Sequence, residues 1–306
     1  MVTETNRSAA DSPVAVTGAT GKQGGATARR LLAGGWRVRA LVRDKTSQAA
    51  AALADAGAEL AVADFDEPAS LAPALEAVSA LFAVPPTAYG PSGSKPELEF
   101  ARGRALADAA AAVGVRHVVF TGVASTSGDA FAAPGKRRTE QYLRDHIPLV
   151  TVLRPVRFMT NYLGAPVLGL EGFVGGVHRH LFPPGEPVQI IALEDIAEFA
   201  ALAFEQPERF AGRTLELAGD ELTPVDAVAA IGTATGVAVR YEQLTHEEAA
   251  AINPEIAETR RRWIAGQRWH ADIEALRVIH PGLRTFEDWL SEGGAAALRT
   301  RLLATA

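Results

Sequence analysis

The stretch Thr17-Gly18-Ala19-Thr20-Gly21-Lys22-Gln23-Gly24 constrains this chain more than any other, because it joins an apolar strand to an amphipathic run that reads as a helix through Leu31-Leu32. Its glycines are spaced G-x-x-G-x-x-G, not G-x-G-x-x-G. At a strand-to-helix junction the first glycine permits a tight turn, the second lets backbone approach a diphosphate, and the third lets the helix pack closely. The unpaired N–H groups of the helix start then face an anion. A bare glycine triplet also marks ordinary turns. Here the junction is the first in the chain and carries Thr17 and Thr20 beside it, which predicts a dinucleotide site contacted by Gly18, Thr20, Gly21, Lys22, Gln23 and Gly24.

The pattern that follows supports such a site. Short apolar runs at 13–17, 36–42, 58–62, 79–84, 116–121 and 149–153 alternate with helical stretches at 22–34, 46–56, 68–77, 96–113 and 135–146. Pro68 and Pro134 suit the first turns of two of these helices. Such a repeat, joined by right-handed crossovers, predicts an α/β Rossmann fold, a doubly wound parallel sheet with its ligand at the carboxyl edge of the strands. After Pro155 the rhythm loosens into Gly- and Pro-rich loops at 164–176 and 183–187. Helices are expected at 194–205, 224–236, 246–264 and 286–303, and a strand at 213–218. The domains expected are a disordered segment 1–12, a dinucleotide-binding domain 13–155, and a smaller C-terminal α/β lobe 156–306 intertwined with the sheet edge.

Composition removes several functional classes. A net charge of −6 over 306 residues, with basic runs only at Lys136-Arg137-Arg138 and Arg260-Arg261-Arg262, gives no footprint for nucleic acid. The absence of cysteine excludes disulfides, thiolate metal sites and cysteine nucleophiles. His178 and His180 flank Arg179 but lack a third ligand nearby, so they read as a solvated loop and no metal is expected. No apolar run approaches the roughly 20 residues of a membrane span. The polar start lacks a signal-peptide core, and the expected location is cytoplasmic.

The glycine loop, the second strand Trp36 to Asp44, and the segments Ala58 to Asp66, Arg116 to Gly122, Lys136 to Asn161, Glu194 to Ala197 and Thr285 to Leu290 together resemble the NmrA-like family of atypical short-chain dehydrogenases/reductases. The resemblance covers nearly all the chain beyond residue 12. An NAD-specific site places an acid at the end of the second strand, about 20 residues beyond the loop. This chain has Arg43 there, and a guanidinium suits a 2′-phosphate that an acid would repel. Asp44 could still take the NAD role, but the resemblance favours Arg43 and therefore NADP(H). It also implies Asp64 and Phe65 beside the adenine, although Asp64 equally suits a turn cap. Ala83, Val84 and Pro85 are expected to border the ribose, and Pro155, Val156 and Phe158 the nicotinamide.

Typical superfamily members carry Tyr-x-x-x-Lys, in which Tyr donates a proton and Lys lowers its pKa and holds the nicotinamide ribose. No lysine here has a tyrosine four positions earlier, and the residue four positions before Lys136 is Ala132. Lys136 matches the lysine that NmrA-like proteins keep, and three cations in a first helical turn oppose the helix dipole unless an anionic or hydroxyl-rich ligand offsets them. The catalytic serine's place reads Thr121-Gly122, leaving the Thr121 hydroxyl, with Ser125 and Thr126 as further candidates. Lys136 and Thr121 are the candidate catalytic residues, and Lys136 is also expected to contact the nicotinamide ribose. The expected function is hydride transfer from NADPH to a small apolar acceptor that needs little proton assistance, such as a quinone or enone. The alternative is an NADP(H) redox sensor that regulates a protein partner.

Overall fold

The structure is a computed structural model that describes residues 12–90, 93–126, 133–164 and 170–304. The expectation of disorder over 1–12 falls almost wholly outside these residues. In chain order the elements are β1 (Val14–Val16), α1 (Lys22–Ala33), β2 (Val38–Val42), α2 (Gln48–Asp55), β3 (Glu59–Val62), β4 (Ala80–Ala83), α3 (Pro96–Ala112), β5 (His117–Thr121), α4 (Pro134–His146) and β6 (Leu149–Pro155). The second half adds β7 (Arg157–Phe158), β8 (Val177–His180), β9 (Val188–Ile191), α5 (Leu193–Glu205), β10 (Thr214–Leu217), β11 (Asp220–Leu222), α6 (Pro224–Thr235), β12 (Arg240–Gln243), α7 (His246–Ile252) and α8 (Pro254–Ile264).

Seven parallel strands form one sheet in the order β10-β6-β5-β4-β1-β2-β3. The chain runs outward from β1 to β3, then crosses to β4 on the other side of β1. The carboxyl ends of β1 and β4 therefore flank the switch point, where open α/β sheets bind ligands. Strands buried on both faces need continuous apolar runs, and β1, β4 and β5 supply them. One face packs on α1 and α5 through Leu31, Ile196, Phe199 and Phe204; the other packs on α3 and α4 through Leu106, Ala110 and Leu143. The strand expected at 213–218 returns from the second half to pair with β6, so the lobe and the sheet share an edge.

Three helical expectations change. The stretch 68–77 is a 3-10 turn, Pro68–Ser70, and one helical turn, Leu71–Ala74, because Ala77 takes φ 58° beyond it. The helix expected over 246–264 breaks into α7 and α8 at Asn253, whose side chain caps α8 through Glu255 N–H and is followed by Pro254. The run 286–303 is interrupted at Gly293, where φ is 132°. The lobe holds a three-stranded sheet, β11-β9-β7, and a two-stranded pair, β8 with β12. His178 and His180 lie in β8, buried at 2% and 5% exposure, and not in a solvated loop. Among the described residues no helix is long and apolar enough to cross a membrane.

Candidate dinucleotide site

Between β1 and α1 the chain turns at Gly18 with φ +58°, a left-handed conformation that a side chain would strain. Gly21 N–H donates to Gly18 O at 2.8 Å and closes the turn. A Cβ at Gly24 would sit 2.3 Å from Gly18 O and 2.5 Å from Thr17 O. The third glycine thus lets α1 press against the loop itself. Thr17 fixes the strand ends: its hydroxyl donates to Phe82 O at 3.3 Å and accepts Val84 N–H at 2.7 Å. α1 starts with no side-chain cap at Gly21 and no acid in its first turn. Its leading N–H groups and the positive end of its dipole are therefore left for an anion.

The loop opens into a cleft of about 400 Å³, within the range of small-molecule sites. Of the residues expected from sequence, Gly18, Thr20, Gly21, Lys22, Gln23, Gly24, Arg43, Asp64, Phe65, Val84 and Phe158 line it. Ala83 and Pro85 do not; both are buried, and Val84 and Pro86 face the cleft instead. That alternation is the two-residue period of an extended chain. Pro155 and Val156 are also buried away from it. Val156 N–H is committed to Leu217 O at 3.0 Å and Pro155 O accepts Ala124 N–H at 3.2 Å, so the Val156 N–H is not free for a ligand.

Arg43 is exposed at the end of β2, whereas Asp44 turns away, its carboxylate accepting the Thr46 N–H at 2.8 Å and hydroxyl at 2.6 Å. Those two bonds hold the Asp44 carboxyl below its usual range. Asp64 does cap a turn, accepting Asp66 N–H at 2.9 Å, while still lining the cleft. Sequence reasoning missed Leu41, Val42, Ala63, Asp66, Pro86 and Arg102. Leu41, Val42 and Ala63 could have been found from their place at strand ends. Arg102 carries no local signal: it reaches from the middle of α3 to grip Asp66, with Nε and Nη2 donating to Oδ1 at 2.9 and 2.6 Å.

The two candidate catalytic residues sit elsewhere. Thr121 is 1% exposed and donates its hydroxyl to Gln23 Oε1 at 2.9 Å, so it orients a cleft residue from beneath. Lys136 is buried and its Nζ lies 3.4 Å from Glu99 Oε1 on α3. Arg138 likewise pairs with Glu97 at 2.6 Å. Lys136 and Arg138, in the first turn of α4, are thus offset by acids of the neighbouring helix. Ala132, where a superfamily tyrosine would stand, lies outside the described residues, as do parts of the loops at 123–133 and 164–185.

Gly122 stands where a Cβ would meet Glu140 Oε1 at 2.3 Å. Glu140 pairs with Arg154 at 2.5 Å, Arg154 with Glu216 at 3.2 Å, and Glu216 takes both the N–H of Ser125, at 2.9 Å, and its hydroxyl. Thr126 is buried at 2% exposure.

At the other end of the cleft, Phe158 forms the wall and a 3-10 turn, Met159–Leu163, follows it. Lys22 Nζ donates to Asn161 Oδ1 of that turn at 3.1 Å, and Asn161 Nδ2 donates to Glu171 Oε1 at 3.1 Å. Glu171 pairs with buried Arg157 at 2.8 Å, and Arg157 donates to His180 Nε2 at 2.7 Å and His178 Nε2 at 3.4 Å. His178 in turn donates from Nδ1 to Gly172 O at 2.7 Å. Burial pushes the Glu171 carboxyl up against the pull of Arg157 and Lys22. Burial and the Arg157 charge push His178 down to about 3. The side chains missed here are Asn161, Glu171 and the two histidines, whose convergence spans separate elements.

Residues 10–272 match the NmrA-like family. The NmrA-like family domain-containing oxidoreductase FrzB of a Cladobotryum species is 33% identical over 258 residues, 75% of each chain. Among solved structures, the NADPH-dependent quinone oxidoreductase QOR2 of Escherichia coli superposes with TM-score 0.68 at 25% identity, covering 91% of this chain and 98% of that one. NmrA, a negative transcriptional regulator in complex with NADP, superposes with TM-score 0.74 at 21% identity, covering 95% and 98%.

Proposed function

The chain belongs to the NmrA-like family, and on that premise we propose that it binds NADP(H) along the cleft and reduces a small, apolar acceptor of the quinone or enone class. The observation that carries this reading is the uncapped start of α1 opening into a cleft whose far wall is Phe158. The leading N–H groups of α1 would hold the diphosphate. Arg43 would take the 2′-phosphate, since no carboxylate among the described residues pairs with it and Asp44 is occupied by Thr46. Asp64, Phe65 and the Arg102–Asp66 pair would enclose the adenine. Phe158 would cover the nicotinamide, with Gln23 held from below by Thr121.

When bound, NADPH supplies the hydride, and the protein supplies orientation. The likeness to a quinone oxidoreductase supports that acceptor class. A stopped-flow screen of NADPH oxidation with quinones, enones, imines and aldehydes tests the reaction. Turnover of a quinone or enone is expected; if no acceptor oxidises bound NADPH, the oxidoreductase reading is lost. Arg43→Ala is expected to weaken NADPH about tenfold more than NADH. Equal weakening of both would remove the 2′-phosphate assignment.

A further inference from the structure

The reduction proposed above needs a proton as well as a hydride, and the tyrosine that donates it in related enzymes has no counterpart in the sequence. Thr121 donates its hydroxyl hydrogen bond to Gln23, and Lys136 is paired with Glu99 and does not line the cleft. Among the described side chains that line the cleft, the Thr20 hydroxyl and the Gln23 amide are weak acids, Asp64 accepts the Asp66 N–H, Asp66 is held by Arg102, and the guanidinium groups of Arg43 and Arg102 are poor proton donors. Lys22 remains.

We propose that Lys22 is the proton donor of this reduction, held toward the nicotinamide end of the cleft by Asn161. This rests on the function proposed above. Lys22 is the first residue of α1, where a cation would be expected to reach for the diphosphate. Its Nζ is instead bonded to Asn161, three residues beyond Phe158. Asn161 is itself fixed by Glu171, and Glu171 by Arg157, so the direction of the ammonium is set by a partly buried chain of side chains. The charged groups facing it are Glu171, which favours the ammonium, and Arg157, which opposes it. Partial burial and Arg157 together outweigh Glu171 and lower the Lys22 pKa, which makes the ammonium a readier donor.

The step balances simply. The hydride and its electron pair pass from NADPH to the acceptor, which is left as an oxyanion while NADPH becomes NADP+. The Lys22 N–H bond breaks and an O–H bond forms on the acceptor. The neutral amine then regains a proton from water, which reaches Lys22 because the residue is exposed in the open cleft.

Lys22→Arg keeps the positive charge but removes a releasable proton, and Lys22→Met removes both. With an enone, whose reduction leaves a basic enolate, both variants should lose about 100-fold in kcat. With a para-quinone, whose hydroquinone anion is far less basic, the loss should stay within about fivefold for the same reason. If Lys22→Arg retains enone turnover, Lys22 acts by charge alone and the proposal is overturned. A second measurement stands apart from turnover. The chain has four lysines, Lys22, Lys45, Lys95 and Lys136, and nitrogen-15 titration of their ammonium groups with NADP+ bound should show Lys22 losing its proton at a lower pH than Lys45 and Lys95. If it titrates with them, the proposal fails even where an acceptor has been found; if no acceptor is found while Lys22 titrates low, the reaction reading fails and the donor role falls with it.

Discussion

The two ends of the cleft are made of different material. At the end of β1 the contacts come from backbone: a left-handed Gly18, a Gly24 with no room for a methyl group, and the uncapped N–H groups of α1, all within seven residues of sequence. At the Phe158 end the support comes from side chains behind the wall, where Lys22 of the loop helix reaches Asn161 and the network continues through Glu171 and Arg157 to His178 and His180. A backbone site tolerates almost any neighbouring side chain but no added carbon at its glycines. A side-chain site tolerates small shifts in backbone but not the loss of one charge.

That contrast can be tested by removing one piece at a time. Arg157→Met should have the largest effect on stability, about 3–5 kcal/mol by urea unfolding, because it leaves Glu171 half-buried without its partner. A loss below 1 kcal/mol would mean that the side-chain end is not held by charge pairing. Acid should come next. His117 is held by burial at about 4 and His178 at about 3, whereas unfolded histidine titrates near 6.5. As pH falls from 6.5 toward 4 the unfolded chain takes up protons that the folded chain refuses, so stability falls, by about 3 kcal/mol from His117 alone. Urea midpoints that are flat between pH 6.5 and 4.5 would contradict this.

Gly24→Ala sharpens the comparison from the other side. Its new Cβ would displace the loop carbonyls, at a cost of about 1–3 kcal/mol of overpacking, and NADPH affinity measured by fluorescence titration should fall by up to about 100-fold. An affinity within threefold of the parent would show that the loop yields without moving its N–H groups. The smallest effect expected is that of Thr121→Val, which removes one hydrogen bond to Gln23 and should cost about 1 kcal/mol in NADPH binding or stability. A complete loss of turnover with unchanged binding would instead restore Thr121 to a chemical role.

The same contrast decides what was legible in the sequence. The sheet, its crossovers and the glycine loop follow from local periodicity and from residues that few other structures require, and they lie where the pattern puts them. The place of Arg43 at the end of β2, lining the cleft, was legible because it depends only on where the strand stops. Lys136 was misread in one respect: the acids that balance its helix turn, Glu97 and Glu99, stand nearly 40 residues earlier, and only the packing of α3 on α4 brings them close. His178 and His180 looked solvated because their partner, Arg157, lies across a loop. Arg102 was invisible for the same reason, since its partner Asp66 belongs to another strand's turn.

Gly122 limits how this chain can be redesigned. The space its missing side chain would occupy is filled by Glu140, and Glu140 is tied through Arg154 to Glu216 and Ser125. A serine introduced at 122 would therefore collide with a buried ion-pair network, and clearing that space by removing Glu140 alone would strand Arg154 beside a single acid. Installing tyrosine–serine chemistry in this chain would need several coordinated replacements. New acceptors are more readily reached by remodelling the Phe158 end of the cleft than by adding a hydroxyl at 122.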